Sequence, residues 1–423
     1  MRILFLTHAF NSLTQRLYVE LTGRGHDISV EFDIHDDVTR EALELFQPDL
    51  ILATFLRRAI PSDVHQRCRC LIVHPGPPGD RGPSSLDWAI LEGEEEWGVT
   101  VLEAEEEMDA GPVWGSAAFP MRPATKSSLY RREVTEAALK AVLLAIDRIA
   151  SGTYQPKRAP GSLRPAVRQA DRQINWEQDD TQTVLRKIRS ADGQPGVLDQ
   201  IKGRDCYLYN AHQAEGLTGI PGEVIGIGNE SICRATVDGA VWIGHLRARP
   251  TAAESTFKLP ATTVLGSLPG SLATEDSDDE VISYHEDGAV GYLDFNIYNG
   301  AMSVRDCNAL RDAIIAARQR PTKVLCLMGG DEFWSNGLNL NVIEHADRPA
   351  EASWQNINAM DDVVRELILT TNKITVAAMR GNAGAGGVFL ALAADRVVAR
   401  QGIILNPHYK NMGNLYGSEY WTY

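Results

Sequence analysis

Two stretches of the chain set titratable or amide-rich residues into glycine- and proline-framed turns. In Leu71-Ile-Val-His-Pro-Gly-Pro-Pro-Gly-Asp-Arg-Gly-Pro-Ser-Ser-Leu-Asp-Trp, an apolar run ends on His74 and enters a loop too rich in Pro and Gly to be helical. Ligands of open α/β sheets bind at the carboxyl ends of strands, so an imidazole there faces a cleft. In Glu107-Met-Asp-Ala-Gly-Pro-Val-Trp, 35 positions after His74, Asp109 precedes a second Gly-Pro turn and can orient or neutralise the histidine. Taken singly, a His beside Pro is a capping or core residue and an Asp before Gly is turn chemistry. Taken together, with this framing, they read as a proton-handling pair. Farther on, Leu327-Met-Gly-Gly-Asp-Glu-Phe-Trp-Ser-Asn-Gly and Met379-Arg-Gly-Asn-Ala-Gly-Ala-Gly-Gly-Val-Phe each follow an apolar strand. Glycine turns of this kind expose backbone N–H groups, and two of them can converge on one anionic oxygen.

The elements that must position these residues follow from hydrophobic patterning. Strand runs at Arg2–Thr7, Asp27–Glu31, Leu50–Phe55 and Leu71–His74 alternate with helical patterns at Gln15–Arg24 and Arg40–Phe46, the rhythm of a helix-covered parallel sheet. A helix over Lys126–Ala150 closes this unit. A helix at Thr181–Ser190 and glycine-punctuated strands at Gly222–Ile227, Ser231–Thr236 and Ala240–Leu246 predict a small barrel or compact sheet next. The acidic run Leu272–Glu280 reads as a solvated linker. Beyond it, strands Val281–Tyr284, Val290–Phe295, Val324–Met328 and Thr375–Met379 alternate with helices Ser303–Arg318, Met360–Leu369 and Gly387–Ala394. The expectation is an α/β chain with domains at 1–150, 151–270 and 281–423 and a linker at 271–280.

Composition excludes several classes. The chain has 423 residues, 44% apolar and 23% charged, and a formal net charge of −15. That charge disfavours polyphosphate partners, which need clustered cations, so no nucleic-acid partner is expected. No apolar run reaches membrane-span length, and the opening segment reads as a strand rather than a leader, so a cytoplasmic location is expected. Six cysteines without C-x-x-C spacing predict neither disulfides nor a zinc site, and no metal is expected. No internal repeat, P-loop or dinucleotide-binding glycine fingerprint occurs.

The His74 and Asp109 stretches resemble the folate-dependent formyltransferases, whose signature is Asn-x-His-Pro-(x)-Pro followed by an Asp-x-Gly loop. The resemblance implies an N-terminal Rossmann-like formyltransferase domain, 10-formyltetrahydrofolate as donor and His74 with Asp109 as the catalytic pair. It also implies pterin contacts from the 54–61 and 105–109 loops. The cofactor-binding set it carries over is Phe55, Leu56, Arg57, Ser84, Ser85, Glu107, Met108, Arg131 and Arg189. Ile72 stands where the family has its catalytic Asn, so a side-chain donor to the formyl oxygen is missing. Loss of one aimed donor costs on the order of 100-fold in rate. Either His74 supported by Asp109 supplies that stabilisation, or the acceptor is a thiolate, which needs less activation. Tyr154–Arg247, with Asn175-Trp176 and Arg189, is similar to the family's β-barrel appendage. Arg186, Lys187 and Arg189 either meet an anionic ligand or form a solvated helix face.

The two later glycine turns resemble the crotonase superfamily, in which two amides bind the oxygen of an acyl-CoA thioester. By position the resemblance implies one amide from Ser335 or Asn336 and the other from Gly386. The glutamates of enoyl-CoA hydratases align with Phe389 and His408, which argues against hydration. Tyr416 and Glu419 offer replacement acid/base groups. Since crotonase domains continue through further helices, the last domain is expected to be incomplete. The whole chain is similar to the HypX/HoxX-type maturation proteins of nickel-iron hydrogenase. That resemblance implies formyl transfer from folate to coenzyme A, cleavage of formyl-CoA to carbon monoxide and CoA, and transient contact with the hydrogenase maturation machinery. Two competing readings are an amine-directed formyltransferase using the first domain alone, and a non-catalytic scaffold for a hydrogenase precursor.

Overall fold

A computed structural model describes residues 1–251, 255–266 and 281–407. The predicted acidic linker lies outside the described residues. The chain divides into two compact units, Met1–Val197 and Leu198–Tyr423.

The first unit is built on six strands: β1 (Arg2–Thr7), β2 (Asp27–Phe32), β3 (Leu50–Phe55), β4 (Cys70–His74), β5 (Glu96–Glu103) and β6 (Val113–Pro120). Their order is β2-β1-β3-β4-β5-β6, with the first four parallel and the last two antiparallel. Ile3, Leu4, Phe5 and Leu6 are all buried, because helices cover both faces of a parallel sheet. Helix α1 (Ser12–Gly23) starts where Asn11 accepts from the Thr14 amide, and α2 (Asp36–Phe46) follows β2. α3 (Ser85–Glu92) ends at Gly93 in the left-handed region. The helix predicted over Lys126–Ala150 is interrupted by a π-helical turn, Tyr130–Val134, before α4 (Thr135–Ser151). Ala137, Ala138, Ala141 and Ala145 line the buried face of α4. Its backbone approaches so closely that a Cβ on Gly115 of β6 would stand 2.3 Å from the Ala141 carbonyl oxygen. α5 (Thr181–Ala191) begins on an Asp180 cap.

The described residues of the second unit form three sheets. Strands β7 (Val197–Ile201), β8 (Arg204–Ala214), β9 (Val224–Ile227), β10 (Ile232–Ala235) and β11 (Ala240–Ala248) form a sheet in the order β9-β10-β11-β8-β7, whose pairs at β9-β10, β10-β11 and β11-β8 are antiparallel. Leu259–Pro260 adds along β11. The patterning missed β8, whose Gly-free run lacks turn punctuation. Next come β12 (Ile282–Asp287), β13 (Val290–Phe295), α6 (Val304–Arg318), β14 (Val324–Leu327), β15 (Phe333–Ser335), α7 (Pro349–Ile368), β16 (Ile374–Met379), β17 (Asn382–Gly384), α8 (Gly386–Leu392), β18 (Arg396–Ala399) and β19 (Leu405–Asn406). They make a five-stranded sheet, β12-β13-β14-β16-β18, and a three-stranded parallel one, β15-β17-β19. Ser303 and Asp306 form a capping box on α6, and Pro349 opens α7 at its first turn. Among the described residues no helix is long and apolar enough to cross a membrane.

Candidate functional site

His74 ends β4 with its side chain 5% exposed, and the loop that follows is pinned from three directions. Ser85 Oγ and Trp97 Nε1 donate to the Pro75 carbonyl at 2.7 and 3.0 Å, and Thr100 Oγ1 donates to the Gly76 carbonyl at 2.8 Å. The tight loop then carries a second carboxylate back onto the imidazole. Asp80 Oδ2 lies 2.9 Å from His74 Nε2, while Asp109 Oδ2 lies 3.5 Å from Nδ1. The histidine thus faces a buried carboxylate at each ring nitrogen. A neutral imidazole can donate to one of them and an imidazolium to both.

Asp80 is the site residue that sequence reasoning missed. A signal was present, since a Pro/Gly loop returning after six residues brings the i+6 carboxylate to the strand end. Burial raises the Asp80 carboxyl, but hydrogen bonding to His74 and Ser85 and the nearby Arg164, 3.8 Å away, hold it below its ordinary value. The segment after α4 straps over the loop, pairing Asp80 with Ser162 and Arg81 with Leu163. That approach requires glycine, because a Cβ on Gly79 or Gly161 would stand 2.2 Å or 1.8 Å from a backbone oxygen across the pair.

Asp109 reaches His74 from the far end of the sheet. β5 is antiparallel to β4, with Leu71 opposite Glu103, so the loop at 104–112 leaves beside the start of β4 and must fold back. Asp109 takes a left-handed φ of 51°, and its Oδ2 accepts from the Gly82 amide at 3.0 Å. A non-glycine residue in this region carries strain of about 1–3 kcal/mol, of the kind that surrounding contacts hold at functional sites. Ile72 is half-buried against an apolar cluster containing Leu4, Leu6 and Ile51, and supplies no amide.

The predicted cofactor-binding residues are distributed over several elements. Phe55 ends β3, half-buried and edge-on to the rings of His8 and Tyr130, on the same sheet edge as His74. Leu56 is half-buried and Arg57 exposed just beyond it. Glu107 and Met108 are exposed beside Asp109, Glu107 pairing with Arg81 at 2.7 Å. Ser84 Oγ accepts from the Val167 amide, and Ser85 is committed to Pro75. Arg131 sits in the π-helical turn. Arg189 ends α5, where burial lowers its guanidinium pKa and Asp192 opposes the shift.

In the second unit the two glycine turns do converge. A Cβ on Gly387 would stand 2.0 Å from the Ser335 carbonyl oxygen, and one on Gly337 only 3.0 Å from the Gly386 nitrogen. Gly386 opens α8, so its N–H has no intrahelical partner. Asn336 N donates to the Gly300 carbonyl at 2.6 Å and its Nδ2 to the Asn299 carbonyl at 2.7 Å. Ser335 pairs with Ala383 in the β15–β17 ladder. Its hydroxyl accepts from the Gly337 amide at 3.0 Å and stiffens the turn. Phe389, half-buried on α8, has no proton to exchange. His408, Tyr416 and Glu419 lie outside the described residues.

Comparison with known proteins finds matches along most of the chain. The Formyl transferase family matches residues 30–146, its C-terminal domain residues 166–258, and the Enoyl-CoA hydratase/isomerase family residues 295–418. The hydrogenase maturation factor HoxX of Bradyrhizobium diazoefficiens is 55% identical over 429 aligned residues, covering 100% of this chain and 75% of the relative. The chain belongs to the HypX/HoxX family of hydrogenase maturation factors. A crystal structure of the family, HypX from Aquifex aeolicus in complex with tetrahydrofolic acid, superposes with a TM-score of 0.94 at 52% identity, covering 100% of this chain and 76% of that one. A methionyl-tRNA formyltransferase from Granulibacter bethesdensis is 30% identical over 46% of this chain and 64% of its own length. The family architecture is therefore α/β with an antiparallel middle sheet, joining both formyltransferase domains and a crotonase-like domain in one chain.

Proposed function

We propose that this chain transfers a formyl group from 10-formyltetrahydrofolate to coenzyme A and that its crotonase-like domain splits formyl-CoA into carbon monoxide and CoA for hydrogenase maturation. The observation that carries the first step is His74 clamped between Asp80 and Asp109. An imidazole that accepts the thiol proton becomes doubly protonated, and each N–H then faces a carboxylate, which stabilises the ion as it forms. Ile72 offers the formyl oxygen no side-chain donor, so charge developing there is met by the positive charge of the imidazolium and not by an aimed N–H. In the transfer the nitrogen–formyl bond breaks, a sulfur–formyl bond forms, and the thiol proton ends on the folate nitrogen. Phe55, Leu56 and Arg57 offer an aromatic, an apolar and a cationic surface on the same sheet edge, which fits a flat heterocycle with an anionic tail. Glu107, Met108, Ser84 and Ser85 border the same pair, and Arg131 and Arg189 are assigned to anionic parts of the ligands.

In the second reaction the formyl C–H proton leaves, the C–S bond breaks and the thiolate is protonated, so no oxidant or reductant is needed. Ser335 and Gly386 amides are assigned to the thioester oxygen. Glu419 and Tyr416, with His408 nearby in sequence, are assigned to the proton transfers. On this proposal the domains span 1–150, 151–270 and 281–423, with 271–280 as linker. The test is incubation with 10-formyltetrahydrofolate and CoA while haemoglobin reports carbon monoxide. Equal formyl transfer to amines without carbon monoxide, or full maturation by a His74→Ala chain, would overturn the proposal.

A further inference from the structure

The middle sheet reaches into the turn that holds the second site's amides. Lys258 follows β11 and projects its ammonium between two aromatic rings. Its Nζ is 3.0 Å from the Tyr298 hydroxyl oxygen, to which it donates, and 3.9 Å from the centroid of Tyr209, a buried residue of β8. A cation over a desolvated aromatic face is attracted by the ring quadrupole, which holds the lysine in one place. His245 of β11 packs its ring 4.3 Å from that of Tyr298, and Asn210 lies 3.5 Å from its Nδ1. Burial, reinforced by the Lys258 charge, pushes this imidazole down to about 3, so the stack adds no second positive charge beside the ammonium. At the other end of the same edge, Arg305 in the first turn of α6 pairs with Glu230 at 2.7 Å.

Tyr298 begins the short turn Tyr298–Gly300, in which Asn299 and Gly300 both take left-handed φ values, 54° and 65°. The turn seats directly on β15, since a Cβ on Gly300 would stand 2.7 Å from the Phe333 Cβ and 3.2 Å from the Asn336 nitrogen. Its two carbonyls are the acceptors that fix Asn336, the residue bonded to Ser335. A strained turn persists only when its surroundings over-determine it. Here the surroundings are the middle sheet on one side and the Ser335–Asn336 turn on the other.

We propose that Lys258 and Tyr298 are a positioning pair through which the middle sheet sets the aim of the Ser335 amide in the crotonase-like domain. Neither touches the substrate. Together they make the formyltransferase C-terminal domain a structural part of the second active site. This inference rests on the reading of Ser335 and Gly386 as thioester-binding amides, and its test separates the two.

The probe is acetyl-CoA labelled with carbon-13 at the thioester carbonyl, bound to the full chain and followed by isotope-edited infrared difference spectroscopy. In the parent, two aimed amides shift the carbonyl stretch to lower frequency. Tyr298→Phe and Lys258→Met are expected to lose at least half of that shift while Kd changes less than about threefold, because binding elsewhere on the ligand is untouched. Lys258→Arg, which keeps the charge and a donor, is expected to recover most of it. A full parental shift in both Tyr298→Phe and Lys258→Met overturns the positioning role. A parent that binds without a shift overturns the thioester reading and this proposal with it. Should Lys258→Met fail to fold, Tyr298→Phe removes a single oxygen and decides the question alone.

Discussion

Replacing Gly76 by alanine inserts a methyl group into the His74–Asp80 clamp. The new Cβ would stand 2.3 Å from Asp80 Oδ2, 2.6 Å from His74 Nε2 and 2.6 Å from Ser85 Oγ, all far inside contact distance. None of the three can retreat freely: His74 and Asp80 are 5% and 6% exposed, and Ser85 is bonded to Pro75. Overpacking of this kind costs about 1–3 kcal/mol. Separating the 2.9 Å His74–Asp80 contact forfeits a charged-group hydrogen bond worth about 1.5–3 kcal/mol. The first unit is then expected to lose about 3–5 kcal/mol, a Tm decrease on the order of 6–20 °C for a unit of this size. A displacement of the imidazole by about 1 Å costs on the order of 100-fold in rate. The assay is tetrahydrofolate release from 10-formyltetrahydrofolate with CoA as acceptor, run below the variant's Tm, beside a thermal melt. Parental kcat in a folded Gly76→Ala chain would refute the assignment of the clamp to catalysis.

Asp80→Asn keeps the shape but removes the charge facing Nε2, so kcat is expected to fall at least tenfold and the acid limb of its pH profile to move; an unchanged profile would assign Asp80 to packing alone. Because the folded Asp80 carboxyl is lowered, its stabilisation is present above the unfolded carboxylate pKa and lost as pH falls through the folded value, so parent and Asp80→Asn melts should converge only in strong acid. His245 has the opposite sign of proton balance to a salt-bridged histidine: with a folded value of about 3, the unfolded chain binds the extra proton between pH 3 and 6.5. Stability of the second unit should therefore fall with acid over that window by up to about 1.4 kcal/mol per pH unit, and a His245→Gln chain should show the shallower slope in urea titrations at pH 4.5 and 7. Gly387→Ala drives a methyl to 2.0 Å from the Ser335 carbonyl, so carbon monoxide release should drop at least 100-fold while formyl transfer stays within about twofold; loss of both would contradict separate sites.

Much of the architecture was legible because hydrophobic periodicity is a local property. Runs such as Ile3–Leu6 and Leu50–Ala53 are buried on both faces, and they read as central strands without any knowledge of their neighbours. His74, Asp109 and the glycine turns were legible because proline and glycine at strand ends restrict what the backbone can do. Where the signal was weaker, reading fell short. β5 and β6 escaped notice, and α7 was read only over its last turns, since its Trp354 face is exposed and its first half lacks an apolar stripe.

Composition, the alternation of strand and helix, and the glycine- and proline-framed motifs of two families follow from the order of residues alone, because each depends on neighbours within a few positions. Which carboxylate touches which nitrogen does not. Asp80 closes on Nε2 only because the 157–165 strap presses its loop onto the sheet, and Asp109 arrives only because β5 runs antiparallel and its loop folds back. The Asn336 amide likewise finds its partner in a carbonyl 36 residues away in sequence, at Gly300, which no local pattern announces. Hydrogen-bond partners are selected by distances of a few tenths of an ångström, and those are set by packing between segments remote in the chain.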